Sequence, residues 1–235
     1  MAIFYVPGFL SDQVLPEEES QHAVKVLRLT SGSAIEVVDG AGNCYRAKIT
    51  IAHPKHCSFV LLEPLNGFGK HDYFLHIAIA PTKNIDRFEW FVEKATEIGV
   101  DEITPLVCQH SERKILKPER IEKIIVSAAK QSMKSHFPKL NPLKNLNELL
   151  KADNSCQKYI AHCYDTDKHL LSSLYQKREA ALILIGPEGD FSPEEVAESL
   201  SLGFKAVSLG NSRLRTETAG IAACHTISLL NQINN

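Results

Sequence analysis

Two stretches near the C-terminal end decide the fold: Leu182-Ile183-Leu184-Ile185-Gly186-Pro187-Glu188-Gly189-Asp190-Phe191-Ser192-Pro193-Glu194-Glu195 and Val207-Ser208-Leu209-Gly210-Asn211-Ser212-Arg213-Leu214-Arg215-Thr216-Glu217-Thr218-Ala219-Gly220. Each reads as a buried apolar strand that runs into a glycine turn and then a helix start. In an open α/β sheet, that strand-to-helix edge is where ligands bind. One edge carries Glu188 and the other Arg215 and Glu217, which suggests a small-molecule site built mostly of exposed backbone.

Upstream, the pattern alternates in the same way. Strand-like Tyr73 to Ala80 precedes a helix from Asp86 to Ile98, with Asp86 and Glu89 spaced as a capping box and Gly99 as the stop. Strand-like Ile103 to Val107 leads to a helix opened by Pro118, with Ile121, Ile124, Ile125 and Ala128 on one face. A short helix at Leu146–Lys151 and a strand at Tyr159–Cys163 follow. Strands at 182–185 and 206–209, a helix at 193–201 and a final helix from Thr216 to about Leu230 complete the chain. Alternating strands and helices imply a mostly parallel sheet with helices on both faces. Before the linker Asn66-Gly67-Phe68-Gly69-Lys70 the texture differs. A short acidic-capped helix from Pro16 to about Arg28 precedes brief strands around Asp39-Gly40-Ala41-Gly42, the mark of a small β-barrel or sandwich. Two domains are expected, 1–69 and 70–235.

Composition sets bounds on function. The 235 residues are 44% hydrophobic and 23% charged, ordinary for a soluble globular protein with proper cores. The first residues, Met1-Ala2-Ile3-Phe4, have no basic segment ahead of an apolar run, so no signal peptide is expected, and no apolar run reaches membrane-span length. Six cysteines without a paired CxxC fit a reducing, cytoplasmic setting. The net charge of −2 hides a basic stretch, residues 110–144, with nine Lys or Arg against three Glu. Such a stretch is either a solvated helix face or a phosphate-binding patch.

The candidate chemistry has plain structural rivals. Gly186-Pro187-Glu188-Gly189 lacks the trailing Lys-Ser/Thr of a phosphate loop, and a tight turn alone would account for it. Glu217 in the first turn of a helix is favoured by the helix dipole without any catalytic role. Arg215, just before it, works against that dipole and calls for an anionic or electron-rich partner. His22, Lys25 and Arg28 fall on one side of the first helix, as a solvated face or a phosphate grip. His53, His56 and Cys57 have no matching second pair, so no metal site is expected. His162, His169 and His225 read as satisfied structural residues, and Trp90, beside Phe88, Phe91 and Val92, as core.

The ordered set Gly186-Pro187-Glu188-Gly189, Phe191-Ser192, Glu194-Glu195, Leu209-Gly210 and Leu214-Arg215-Thr216-Glu217-Thr218-Ala219 closely resembles the RsmE-type 16S ribosomal RNA methyltransferases of the SPOUT superfamily. The resemblance extends to His22 with Val26-Leu27-Arg28, Glu93 through Gly99, Ser111-Glu112-Arg113, and Ala128 through Ser132, and so spans nearly the whole chain. Asp190 stands where the family usually has Gly, and Met133 to Pro138 replaces the more usual Gly-Arg segment.

The resemblance implies a PUA-like β-barrel, RNA-binding, ahead of an α/β domain with a trefoil knot. It implies S-adenosylmethionine as cofactor, methylation of uridine N3 in 16S ribosomal RNA of the small ribosomal subunit, and a homodimer. Ile185, Gly186, Pro187, Glu188, Gly189, Leu209, Gly210, Asn211, Leu214 and Thr216 would hold the cofactor. His22, Lys25, Arg28, Arg113, Lys130 and Lys134 would hold RNA phosphates. N3 of uracil is an imide nitrogen whose proton must leave, so Arg215 is expected to stabilise developing charge, with Glu217 and Glu188 as further catalytic candidates. Because N3 lies on the pairing edge, the target must be unpaired or splayed out of its helix. The rival readings are a non-catalytic RNA-binding protein with a decayed cofactor site, and a nucleotide-binding regulator whose glycine turns hold phosphate.

Overall fold

Alternating apolar residues wrap the N-terminal strands around one core. The computed structural model describes residues 1–69, 71–152 and 156–233, so Lys70, the last residue of the expected linker, lies outside the described residues. Contacts divide the chain into two units, residues 1–70 with 126–137, and residues 71–125 with 138–235. In the first unit β1 (Ile3–Tyr5), β2 (Ala34–Val38), β3 (Cys44–Ile51) and β4 (Ser58–Pro64) pair in that order, β1–β2 parallel and the rest antiparallel. Phe4, Phe9, Ile35, Val37, Ala47, Ile49 and Phe59 fill the interior. Register shifts at Arg46/Ala47 and Ile49/Ile51 add bends to β3.

The first helix, α1 (Glu17–Gln21), opens with three acidic residues and widens into a π-helical turn over His22–Val26. It closes on Arg28, which takes a left-handed φ of 54° while the Leu29 amide reaches back to the Ala23 carbonyl at 2.9 Å. A left-handed C-terminal residue is usually glycine. Residues 133–137 also belong to this unit. The Gly42 amide donates to Ser135 O (3.0 Å), the Phe137 amide to Gly40 O (2.9 Å), and the Phe137 ring packs on Tyr5 at 4.9 Å.

In the second unit, runs of consecutive apolar residues build a sheet buried on both faces. β5 (Leu75–Ile79), β6 (Glu102–Val107), β7 (Lys139–Leu140), β8 (Lys144–Asn145), β9 (Gln157–Ala161), β10 (His169–Leu170), β11 (Ala181–Ile185) and β12 (Lys205–Ser208) are all parallel. Their order is β10-β12-β9-β11-β5-β6-β7, with β8 pairing farther along β6. On one face, α7 (Thr216–Gln232) lies on β5 and β11 and packs against α2 (Ile85–Ile98). They meet so closely that a Cβ at Gly220 would stand 2.5 Å from the Phe91 ring. On the other face Ala78, Leu182, Leu184 and Ile160 join Leu146, Leu149 and Leu150 of α4 (Leu146–Leu150), Val196 of α6 (Pro193–Ser201), and Phe191. Two helices complete the inventory, α3 (Pro118–Gln131) and α5 (Leu171–Leu174).

Two local expectations change. α2 starts on Asn84, whose side chain accepts the Asp86 amide at 3.1 Å, and not on an Asp86–Glu89 capping box. Glu89 instead pairs with Arg120 at 2.5 Å. Trp90 is 45% exposed while Phe88, Phe91 and Val92 are buried, because three apolar neighbours already fill the helix's inward arc. Among the described residues no helix is long and apolar enough to cross a membrane.

A buried polar knot lies near the start of β5. Asn141 Nδ2 donates to Thr104 Oγ1 (2.7 Å), and the same hydroxyl is hydrogen-bonded to His76 Nε2, also at 2.7 Å. Burial, with smaller contributions from Lys139 and Lys144 against an opposing one from Glu102, lowers the His76 pKa from 6.5 to about 4. The folded state therefore holds His76 neutral where the unfolded chain binds a proton. Stability is fully present above pH 6.5 and is lost as the pH falls through 4, by about 3 kcal/mol. Urea titrations at pH 7 and 4.5 should show this loss in the wild type, and a reduced loss in His76→Gln.

Candidate active site

Because every strand of the second sheet runs the same way, the carboxyl ends of β5, β9, β11 and β12 share one edge. Between β9 and the glycine turns after β11 and β12 lie two adjoining cavities. One, of about 330 Å³, is lined by His162, Cys163, Lys168, Ser208 through Leu214 and Ala219. The other, of about 280 Å³, is lined by Ile185 through Glu188, Asp190 and Arg213 through Thr216. Ala161, Cys163, Arg213, Leu214 and Ala219 belong to both walls.

The glycines act in different ways. A Cβ on Gly186 would meet the buried Phe191 ring at 3.0 Å, so this residue lets the turn fold back over its own strand. Gly210 has open space around it but a φ of 137°, a conformation other residues rarely adopt. Gly189 lines neither cavity. It packs on His110, whose Nδ1 donates to the Gly189 and Asp190 carbonyls at 3.1 Å each. Ser192 and Glu195 form a capping box at the start of α6, and Glu195 also accepts the Gln109 amide at 2.8 Å.

The charged candidates separate once placed. Arg215 is exposed and lines the smaller cavity; its carbonyl accepts the Ala219 amide at 2.8 Å, but its side chain makes no hydrogen bond or ion pair among the described residues. Glu188 also lines it, but its carboxylate accepts the Lys83 amide at 2.9 Å. Glu217 is buried, one oxygen 4.0 Å from Arg87 Nε and the other without a hydrogen-bond partner among the described residues. Arg113 donates to the carbonyls of Thr82 (3.0 Å) and Lys83 (2.7 Å), so it braces the loop after β5 together with Glu188. In the first unit, His22, Lys25 and Arg28 are exposed, whereas Lys130 is ion-paired with Glu19. Lys134 is half-buried beside Gly69.

The loop after β9 was not among the expected site residues. Its Cys163 and Lys168 lie on the cavity wall, and the C-terminal end of a parallel strand is the signal that could have found them. His162, expected to be a satisfied structural residue, is buried with neither ring nitrogen hydrogen-bonded among the described residues. Burial, then nearby Lys168, lowers its pKa and favours the neutral ring. Cys57 is in the core while His53 and His56 are exposed, so they do not converge.

An all-parallel sheet with a cleft at its carboxyl edge is the architecture of an α/β enzyme domain that takes a small-molecule ligand. Residues 70–228 match the family of the RNA methyltransferase domain, and residues 15–62 the RNA methyltransferase PUA domain. The chain belongs to the RsmE-type RNA methyltransferases of the SPOUT superfamily. It is 35% identical over 169 residues to the ribosomal RNA small subunit methyltransferase E of Mesomycoplasma hyopneumoniae, covering 68% of this chain and 72% of that one. The crystal structure of a probable rRNA-methyltransferase from Porphyromonas gingivalis is 39% identical, covers 98% of both chains and superposes with a TM-score of 0.93. The ribosomal RNA small subunit methyltransferase E of Neisseria gonorrhoeae, solved bound to S-adenosyl methionine, is 25% identical over 98% of both chains, with a TM-score of 0.87.

The two glycines should fail differently. Gly186→Val forces Phe191 out of its place and should cost ~2–3 kcal/mol by overpacking. Gly210→Ala meets no atom and should cost only the ~1–3 kcal/mol of backbone strain. Urea unfolding of both variants measures the difference.

Proposed function

We propose that this chain is an S-adenosylmethionine-dependent methyltransferase acting at N3 of a uridine in 16S ribosomal RNA, on the assembled small subunit. One observation carries the reading: an exposed Arg215 with an unpaired side chain beside a cleft walled by residues 185–188 and 208–214. The cofactor bound to the Neisseria gonorrhoeae relative supports the same ligand here. Ile185, Gly186, Pro187, Leu209, Gly210, Asn211, Leu214 and Thr216 would hold it, with Cys163 on the shared wall. The unpaired nitrogens of His162 fit a cleft that is completed by a polar ligand. When bound, S-adenosylmethionine supplies a methyl group activated by its sulfonium.

The protein's part is then alignment and charge. Arg215 stabilises the negative charge that develops on uracil O2 and O4 as the N3 proton leaves. Glu188 braces the loop after β5, which leaves the base role to Glu217 or to solvent. Residues 1–69 form the RNA-binding domain, with phosphates held by His22, Lys25 and Arg28, the last on a left-handed backbone that presents its side chain to solvent. Residues 70–235 form the catalytic domain. Insertion of β11 between β5 and β9, after both are laid down, supports a knotted chain there. Leu229 and Ile233, both exposed at the end of α7, support a homodimer, and the setting is the cytoplasm.

Methyl transfer to small-subunit particles from cells lacking the protein, with mapping of the modified base, tests the reaction. Modification at any other atom would overturn the assignment. Arg215→Ala should lower the single-turnover rate by about 10²–10³ with little change in cofactor or RNA affinity, and Arg215→Lys should recover part of it. Arg28→Ala should weaken RNA binding and flatten its salt dependence by about one unit of slope, with cofactor affinity unchanged. Sedimentation at micromolar concentration should return a dimer.

A further inference from the structure

Asp190 joins three loops of the active-site edge through one residue. Its backbone is left-handed, with φ 64°, a conformation glycine takes freely and aspartate takes at some cost. Its carboxylate accepts two backbone amides, Phe191 N on Oδ1 (2.9 Å) and Cys163 N on Oδ2 (2.7 Å). Its own amide closes a turn onto Pro187 O at 2.9 Å, and its carbonyl takes the His110 ring at 3.1 Å. The Cys163 bond matters most, because Cys163 sits where the two cavities share a wall.

Beyond Cys163 the same loop is held by side chains that leave it little freedom. Tyr164 Oη donates to Phe191 O at 2.7 Å, and Lys168 Nζ donates to His162 O at 2.9 Å. The loop after β9 has no sheet partner over 162–168, so these bonds and the Asp190 strut set its shape. A glycine at 190 would supply the left-handed turn and lose both carboxylate bonds. The side chain at this position is therefore not explained by the turn.

We propose that Asp190 is a positioning residue, whose carboxylate holds the Cys163 end of the β9 loop in its ligand-ready shape. The inference rests on the reading of this cleft as the S-adenosylmethionine site. With the wall ordered in advance, binding does not have to meet the entropy of ordering it.

Asp190→Gly separates the two roles, since it keeps the turn and removes the strut. Calorimetry should show its S-adenosylmethionine Kd raised about ten- to a hundred-fold, the size expected for losing one hydrogen bond to a charged group. Cofactor KM should rise with it while kcat at saturating cofactor stays near wild type. Amide exchange of residues 162–168 in the ligand-free protein should quicken, with exchange in β5 and β11 unchanged. Asp190→Asn, which keeps one acceptor oxygen, should fall between the two. Wild-type exchange in Asp190→Gly would overturn the strut, and quicker exchange with wild-type Kd would overturn its role in binding. A wild-type chain that binds no S-adenosylmethionine would instead sink the functional reading, and the exchange comparison would still decide whether Asp190 orders the loop.

Discussion

The hydrogen-bond ladders on either side of β11 hold the whole second unit in place. Ala181 to Ile185 pair with β5 along one edge and with β9 along the other, five residues in register on each side. Every side chain of the strand is buried, so a slip in register or a turn of the strand would expose apolar surface on both faces. With β11 pinned, its carboxyl end must emerge at the same level as those of β5 and β9. That is why the loops after β9 and β11, with the turn after β12 on the far side of β9, close around one cleft.

The turn after β11 converts this rigidity into a site. Gly186 allows Phe191 to fold over the strand end, and the buried ring anchors the loop from below. Around that anchor the polar groups are mostly committed to backbone partners: Glu188 to Lys83, Asp190 to Cys163, Glu195 to Gln109, Arg113 to Thr82 and Lys83. These are charged side chains spent on holding loops. Arg215 stands apart from them, exposed on the cleft wall, and this contrast makes it the better candidate for chemistry than either glutamate.

The first unit shows the same economy on a smaller scale. The basic residues of its short helix and of α3 look alike in sequence, yet Lys130 is neutralised by Glu19 and lies 6.0 Å from the Phe4 ring. His22, Lys25 and Arg28 remain exposed on the widened turn and beyond it. A stretch that is basic on average is thus not a uniform cationic surface, because part of its charge is used inside the unit.

The sequence by itself determined the longer strands and helices and the kind of sheet, whereas the two-residue strands β7, β8 and β10 and the single turn of α5 are too short to carry a pattern. Runs such as Ala181–Ile185 have no polar face to offer solvent, and Ser192-Pro193 with Glu195 spells a helix start through purely local bonds. It also marked the turns at 186–189 and 209–214 as a ligand edge, because glycine after an apolar strand is a local signal. Only the tertiary structure decided which polar residues are free. Glu188 meets Lys83, 105 positions away, and Asp190 meets Cys163, 27 positions away. It likewise decided that residues 126–137 cluster with the N-terminal strands and that His162 is buried without a partner. Pattern and propensity describe a residue's neighbours along the chain, whereas the commitment of a charge depends on which distant backbone the sheet brings within 3 Å of it.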